Sequence, residues 1–431
     1  MNLSVQPSNL SGSVAIPGSK SHTIRAVTIA LLADGMSVLK APLVSADTDA
    51  AVRTAVAFGA EATCGEDWVL SGVGGLPRVP ENVVDVGNSG TTEYVMAAVA
   101  ALADGHSVFT GDEQIRRRPV EPLLAALRDL GAEAFTTRGN GCAPFVVRGP
   151  LRGGKTAIAC PTSQFLTALL LACPLAQGET EIEVLQLNEH PYVEMTLDWM
   201  DQQGIQYDRM RLERFWIPGG QRYQGFEGTI PADWSSATFF LCAGAIAGSR
   251  AGGRDARTTL TLTGLDLKDP QGDKAVVGML RAMGARIEDT PEGLTVSGGD
   301  LQGRELDLNN TPDALPALAV TACFAAGETR LVNVAQARLK ETDRIAVTAE
   351  ELRKLGADVQ EREDGLVIQG SPLRGAAVNG HGDHRVVMAL AVAGTFAEGE
   401  TTIATAEAMR VTFPDFVDLM QSLGAKLQVT E

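Results

Sequence analysis

The chain has 431 residues, 45% of them hydrophobic and 21% charged, with 46 glycines and a formal net charge of -17. Its length predicts more than one core, and its composition an ordinary globular protein with many turns. The acidic balance argues against nucleic acid or an anionic membrane as partner, so an anionic ligand would need a local cluster of Arg and Lys. Met1 to Pro17 has neither a basic start nor an apolar centre, so it is not expected to be a signal peptide. The longest apolar runs, Phe165 to Cys173 and Phe239 to Ala247, are too short to span a bilayer, and a cytoplasmic protein is expected. The six cysteines (Cys64, Cys142, Cys160, Cys173, Cys242, Cys323) form no C-x-x-C pair and read as reduced structural thiols rather than a disulfide framework or a zinc site.

From the N-terminus, Asn2 to Val5 and Ser13 to Ile16 are strand-like. Beyond them one pattern recurs six times: an amphipathic helix ending in an apolar residue (Gln203 in the third), Gly, a small or branched residue, then a short strand. It stands at Phe58-Gly59-Ala60, Leu130-Gly131-Ala132, Gln203-Gly204-Ile205, Met283-Gly284-Ala285, Leu355-Gly356-Ala357 and Leu423-Gly424-Ala425. Each glycine fits a helix C-terminal cap with positive φ, and the strands after it, such as Ala357 to Gln360 and Gly365 to Gln369, predict hairpins. A period of about 70 residues is too long for a solenoid unit and fits a repeated α+β module.

A second series marks an earlier helix in each module. Its starts are Ser19-Lys20-Ser21, Asn88-Ser89-Gly90-Thr91, Thr162-Ser163-Gln164, Asp233-Trp234-Ser235-Ser236, Thr311-Pro312-Asp313 and Gly382-Asp383-His384-Arg385, all rich in N-capping side chains. Spatially equivalent modules would turn six helix N-termini toward one region, and each offers unpaired N–H groups and a partial positive charge to an anion. The last module lacks a strand, which the segment Asn2 to Val5 and Ser13 to Ile16 could supply. The chain then reads as one domain of residues 1–16 and 230–431 with a second, 17–229, inserted, and the Pro17-Gly18 and Gly228 to Pro231 crossings as a hinge.

Basic residues cluster at these starts: Lys20, Arg25, Arg118, Lys340 with Arg344, and Arg385. Arg338 to Arg344, R-L-K-E-T-D-R, is the densest stretch. On a helix opening near Leu339, Lys340 and Arg344 would share a face beside Glu341, although such a pattern alone is commonly a solvated helix face. Pro17-Gly18-Ser19-Lys20-Ser21 lacks the spacing of a nucleotide-binding phosphate loop. His381 and His384 have no further ligands in sight for a metal. Asp313 and Glu341 are the acid and base candidates.

Taken together, P-G-S-K-S with Arg25, G-N-S-G-T-T, R-R-P, T-S-Q-F-L-T-A-L-L, N-T-P-D-A, R-L-K-E-T-D-R, D-H-R and T-F-P-D-F resemble the enolpyruvyl transferases, and among them the branch acting on shikimate 3-phosphate. The motifs run in the same order along essentially the whole chain. The resemblance implies an α/β fold of α+β repeats: two globular domains, each of three βαβαββ units, facing each other across a cleft as an inverse α/β barrel. It implies an enzyme of aromatic amino acid biosynthesis that takes phosphoenolpyruvate and shikimate 3-phosphate, without metal or organic cofactor, as a monomer. By the same resemblance Lys20, Gly90, Arg118, Gln164, Arg344 and Arg385 hold phosphoenolpyruvate. Lys20, Ser21, Arg25, Thr162, Ser163, Gln164, Gln336 and Lys340 hold the acceptor. Glu341 is the proton donor, and Asp313 the base with Lys20 as its rival; domain closure would bring Lys20 and Arg118 to Glu341 and Arg385. The sister branch acting on UDP-N-acetylglucosamine pairs its early lysine with asparagine, whereas Ser21 follows Lys20 here.

Three positions depart from the family pattern. Glu93-Tyr94 follows Gly90-Thr91-Thr92 where an arginine is usual, Val411 stands where some members have a lysine, and Glu189-His190 precede Pro191-Tyr192 where a serine and a basic residue lie near the acceptor's phosphate. A carboxylate beside a phosphate dianion is costly. Glu189 is therefore expected to face solvent or to pair with a basic neighbour, or else the acceptor is a related hydroxyl compound without that phosphate.

Overall fold

All six glycines that the sequence marks as helix stops have positive φ: Gly59 +107°, Gly131 +95°, Gly204 +68°, Gly284 +111°, Gly356 +90° and Gly424 +99°. The left-handed conformation ends each helix and redirects the chain into the following strand. A computed structural model describes residues 1–249 and 259–430. Twelve helices are found among them: α1 (Lys20–Leu32), α2 (Ala46–Ala57), α3 (Gly90–Ala100), α4 (Glu121–Asp129), α5 (Gln164–Ala172), α6 (His190–Gln202), α7 (Trp234–Ala247), α8 (Ala275–Met283), α9 (Leu315–Cys323), α10 (Arg344–Lys354), α11 (His384–Phe396) and α12 (Phe416–Ser422). None is long and apolar enough to cross a membrane.

The chain divides into two compact units, Gly18–Ile230 and Met1–Pro17 with Pro231–Glu431. The described strands form six four-stranded sheets. One module shows the plan. Glu305–Asp307 leads through α9 to a parallel partner, Glu328–Val332; then α10 leads to the antiparallel hairpin Asp358–Arg362 and Gly365–Gln369, whose second strand pairs with Glu328–Val332. The order is βαβαββ. In the last sheet the N-terminal strand Asn2–Gln6 takes the missing place, antiparallel to both Thr401–Ala404 and Lys426–Thr430, with Leu3 opposite Ile403 and Val429. Gly12–Ala15 lies parallel to Thr259–Thr263 in another sheet of the same unit.

Within each unit the helices are of two kinds, for a reason visible in their sequences. The first helix of each module is apolar nearly all round and is buried: α3, α7, α9 and α11 are covered along their whole length, and α1 from His22 onward. The second helix is one-sided, as in α4, where Leu123, Leu124, Ala126 and Leu127 are buried and Arg128 ends the exposed face. In one unit α3 packs on both α1 and α5, and in the other α7, α9 and α11 pack on one another. Each Phe or Leu enclosed this way, such as Phe239, Phe240 and Leu241 on α7, stabilises its unit by about 1.5–3 kcal/mol. The polar first turns of these inner helices then lie at the edge of the core.

The helix stops predict opposite effects for two glycines with open space around them. At Gly356, φ is +90° and the nearest atom to an added Cβ, Pro372 O, is 3.9 Å away; Gly278, inside α8, has ordinary helical backbone and no neighbour within 4 Å. Gly356→Ala is expected to lower unfolding stability by about 1–2 kcal/mol through its backbone alone. Gly278→Ala should raise it by about 0.4–1 kcal/mol. Denaturant midpoints of the two variants check the pair.

Candidate active site

In the Gly18–Ile230 unit, Ser19 caps α1, its hydroxyl accepting from the backbone N–H of His22, and Lys20 stands at the first helical position. Lys20 Nζ donates to Asp47 Oδ2 at 3.1 Å. Asp47 lies in the first turn of α2 and is buried; the reading of the sequence did not include it. Ser21 follows on α1, half-buried. Arg25, one turn further, is enclosed. Nε donates to Thr196 Oγ1 at 2.9 Å, Nη1 to Ser21 O at 3.0 Å, and Nη2 to Thr167 Oγ1 at 3.2 Å and Tyr192 O at 2.9 Å. Burial lowers its pKa to about 10. Those bonds tie α1 to α5 and α6 and hold the guanidinium in place beside the first turn of α1.

The start of α3 is shaped around Arg118. A Cβ at Gly90 would collide with Arg118 Nη1, so the glycine is required for the guanidinium to lie there. Gln164, first in α5, donates from Nε2 to Thr91 Oγ1 at 2.8 Å and links the two helix starts. Thr162 and Ser163 precede it.

In the other unit the centre is Arg344, with 1% of its side chain exposed. Its Nε and Nη2 donate to the two oxygens of Asp383 at 2.8 and 3.3 Å, Nη1 to Asp313 Oδ1 at 2.6 Å, and Nη2 also to Glu341 Oε2. Arg385 Nη2 pairs with the other oxygen of Asp313 at 2.9 Å. Burial works against the charge on Arg344, and Asp383, Glu341 and Asp313 outweigh it, so its pKa is raised. Burial likewise works against an ionised Asp313, yet Arg385, Lys340 and Arg344 overcome it and hold that carboxyl well below the ordinary range. Asp383 also caps α11, accepting from Arg385 N at 2.9 Å, and the sequence did not single it out as the clamp on Arg344. Gln336, buried, donates to Asn309 O at 2.9 Å.

One local expectation is overturned. Lys340, Glu341 and Arg344 do not share a helix. A 3-10 helix, Ala335–Leu339, ends at Lys340 in an extended conformation (φ -85°, ψ -151°), and α10 begins at Arg344. Asp343 causes the break: its side chain accepts from Ala346 N at 3.0 Å as the cap of α10, and its other oxygen accepts from Arg338 Nη1 at 2.6 Å. Arg338 in turn bonds the carbonyls of Arg362 and Glu363. These two charges of the motif build the turn that presents the other three.

The family profile described as EPSP synthase (3-phosphoshikimate 1-carboxyvinyltransferase) matches residues 5–420. The chain belongs to the EPSP synthase family. It is 53% identical over 430 residues to the 3-phosphoshikimate 1-carboxyvinyltransferase of Ruminiclostridium cellulolyticum and 53% identical over 432 residues to that of Acetivibrio thermocellus, covering 100% of each chain. Among solved structures it is similar to EPSP synthase from Acinetobacter baumannii, with a TM-score of 0.81 at 27% identity and 100% of both chains covered.

The departures from the family pattern have definite places. Tyr94 is buried, its hydroxyl donating to Pro119 O at 3.2 Å and its ring edge-on to Phe165 at 4.9 Å. Glu93 is fully buried on α3, neither carboxyl oxygen accepting a hydrogen bond. Burial raises its pKa to about 8, against the pull of Arg118 and with the repulsion of Asp112. Val411 ends a 3-10 helix, Ala406–Val411, half-buried. Glu189 contradicts the expectation of a solvent-facing side chain. It is 2% exposed, and its Oε2 accepts from Ser163 Oγ at 2.8 Å, Ser163 N at 3.2 Å and Thr162 Oγ1 at 3.4 Å. His190 is exposed, with Nε2 3.1 Å from Leu187 O. The two histidines considered for a metal are not paired: His384 is buried on α11, and His381, at φ +54°, lies 2.6 Å from Glu351 Oε1.

Glu93 generates a pH prediction. Folded Glu93 keeps its proton to about pH 8, whereas the unfolded chain releases it near 4.5. The unfolded state is therefore favoured progressively as pH rises through that window. Glu93→Gln removes this dependence, so its stability relative to the parent should grow between pH 5 and 8, by on the order of a few kcal/mol in all, and level off above. Denaturant unfolding at pH 5, 7 and 9 measures it; a constant difference between the two proteins would contradict it.

Proposed function

We propose that this chain transfers the enolpyruvyl group of phosphoenolpyruvate to the 5-hydroxyl of shikimate 3-phosphate and releases phosphate, a step of aromatic amino acid biosynthesis. The observation that carries the reading is the Arg344 cluster, in which two candidate proton-transfer carboxylates, Asp313 and Glu341, are bonded to one guanidinium in a chain 53% identical over its length to enzymes of that name.

The chemistry assigns the groups. The acceptor hydroxyl oxygen bonds to C2 of phosphoenolpyruvate while C3 takes a proton from the Glu341 carboxyl, giving a tetrahedral intermediate with a new methyl group. Asp313 takes the hydroxyl proton. In the second half, the C2–O bond to phosphate breaks, Glu341 recovers a proton from the methyl group, and Asp313 returns its proton to the departing phosphate. Protons balance and both carboxyl groups are restored. Arg118, Arg344, Arg385 and Lys20 offset the substrate's carboxylate and phosphate, with Gly90 leaving Arg118 its room. Such fixed charges are commonly the largest catalytic term. Lys340, Ser21, Arg25, Thr162, Ser163, Gln164 and Gln336 serve the acceptor. Asp313 is a weak base while Arg344 and Arg385 are bonded to it, and it gains basicity as substrate anions draw on those cations.

One observation favours a second reading, an acceptor without phosphate: Glu189 already occupies the donors of Thr162 and Ser163. Initial rates of phosphate release with phosphoenolpyruvate and either shikimate 3-phosphate or shikimate decide between the two. A strong preference for the phosphorylated acceptor is expected, and the reverse preference would overturn the first reading.

Glu341→Gln and Asp313→Asn are each expected to fold normally and to lose about 10²- to 10⁴-fold in turnover; near-normal rates in either would remove its role. Tyr94 and Val411 stand where family members place cations, so glyphosate, which occupies the phosphoenolpyruvate site in that family, should inhibit this enzyme less tightly than a typical sensitive member. A dose–response series in the same assay checks this.

A further inference from the structure

The Thr162–Ser163 turn is an anion cradle with an anion already in it. Three donors converge on one oxygen, Glu189 Oε2: the hydroxyl and backbone N–H of Ser163 at 2.8 and 3.2 Å and the hydroxyl of Thr162 at 3.4 Å. Ser163 precedes the nine-residue helix α5, whose dipole adds to the attraction. The carboxylate comes from a position under backbone strain. Glu189 precedes α6 at φ +60°, ψ +44°, in the left-handed region that a residue with a long side chain seldom adopts. It is also enclosed, with 2% of its surface exposed. A solvated glutamate would need neither the strain nor the burial, and both are accounted for by the three bonds that the side chain makes.

We propose that Glu189 is a resident counter-anion of the acceptor subsite, displaced when a phosphorylated acceptor binds, and that its displacement cost keeps free phosphate from filling this subsite. The proposal rests on the reading above that Thr162 and Ser163 serve the acceptor, and it places the acceptor's phosphate on their donors. A phosphate dianion and a carboxylate repel at contact distance and cannot share three donors. An acceptor carrying further groups, such as a ring carboxylate and hydroxyls, offsets the cost of displacing Glu189 through its other contacts. Inorganic phosphate has no such contacts. The reaction releases inorganic phosphate at every turnover, so an open cradle would be filled by the enzyme's own product.

Glu189→Gln and Glu189→Ser, with the parent enzyme, test this in the phosphoenolpyruvate and shikimate 3-phosphate reaction, with inorganic phosphate as the inhibitor and turnover followed through the organic product. In both variants the KM for shikimate 3-phosphate is expected to fall about tenfold or more, the scale of one charge-assisted hydrogen-bond set no longer opposed. Inorganic phosphate should become a competitive inhibitor against shikimate 3-phosphate at correspondingly lower concentration. The KM for phosphoenolpyruvate should move little, a split that a merely structural role would not produce. An unchanged or higher KM for shikimate 3-phosphate in a Glu189→Gln protein with the parent's melting temperature overturns the proposal. The parent enzyme gives a second check that needs no variant: strong inhibition by phosphate, competitive against the acceptor, also overturns it. No turnover of shikimate 3-phosphate by the parent enzyme would instead sink the functional reading on which the proposal rests.

Discussion

Arg344 is a buried guanidinium bonded to three carboxylates, Asp313, Glu341 and Asp383, and the proposed chemistry depends on that one set of ion pairs. A charge so enclosed persists only where its donors are satisfied, and removing one partner of such a set is costly. The planar fork of arginine suits the task, because its nitrogens diverge in one plane and can reach three acids from one side chain. Each acid is held from a different element: Asp313 before α9, Glu341 in the turn before α10 and Asp383 at the cap of α11. The guanidinium therefore ties together three helix starts of one unit and fixes the two carboxylates that must exchange protons with substrate.

The fold makes this possible by repetition. Each module supplies one apolar inner helix, and closing three of them into a core leaves their first turns, with capping and basic residues, at its edge. That plan was legible in the chain because each part has a local cause: glycine for the left-handed stop, Ser or Asp for the cap, an unbroken apolar run for the inner helix. The incomplete sixth module was equally legible, since a strand-like N-terminus was the one unassigned segment, and it pairs with Thr401–Ala404 and Lys426–Thr430.

The site was legible in its residue types and less so in its geometry. Sequence spacing placed Lys340 and Arg344 on one helical face, and the Asp343 cap breaks that face. Arg25 was legible as a cation at a helix start, but not its bonds to Thr196, Thr167, Tyr192 and Ser21, three of which lie far along the chain. Asp383 passed as an ordinary helix-start acid and Asp47 was not marked at all, because nothing in a single sequence says which arginine or lysine such an acid will meet. Glu93 and Glu189 were visible as departures, but their burial depends on contacts far along the chain. Charged side chains are placed by such long-range contacts, whereas helix stops and apolar runs are placed by near neighbours.

Those two glutamates mark where this chain differs in character from the pattern it resembles. One is a buried carboxyl that keeps its proton beside Arg118; the other is a carboxylate lodged among the donors of Thr162 and Ser163. Both add acidic groups next to proposed anion-binding residues, and both leave the Arg344 cluster untouched. The central claim is that the arginine fork, and not merely a positive charge, organises that cluster. Steady-state turnover of Arg344→Lys measures it most directly. Lysine keeps the charge but lacks the fork, so the account predicts a folded protein with turnover lower by about 10²-fold or more. Near-normal turnover in that variant would contradict it.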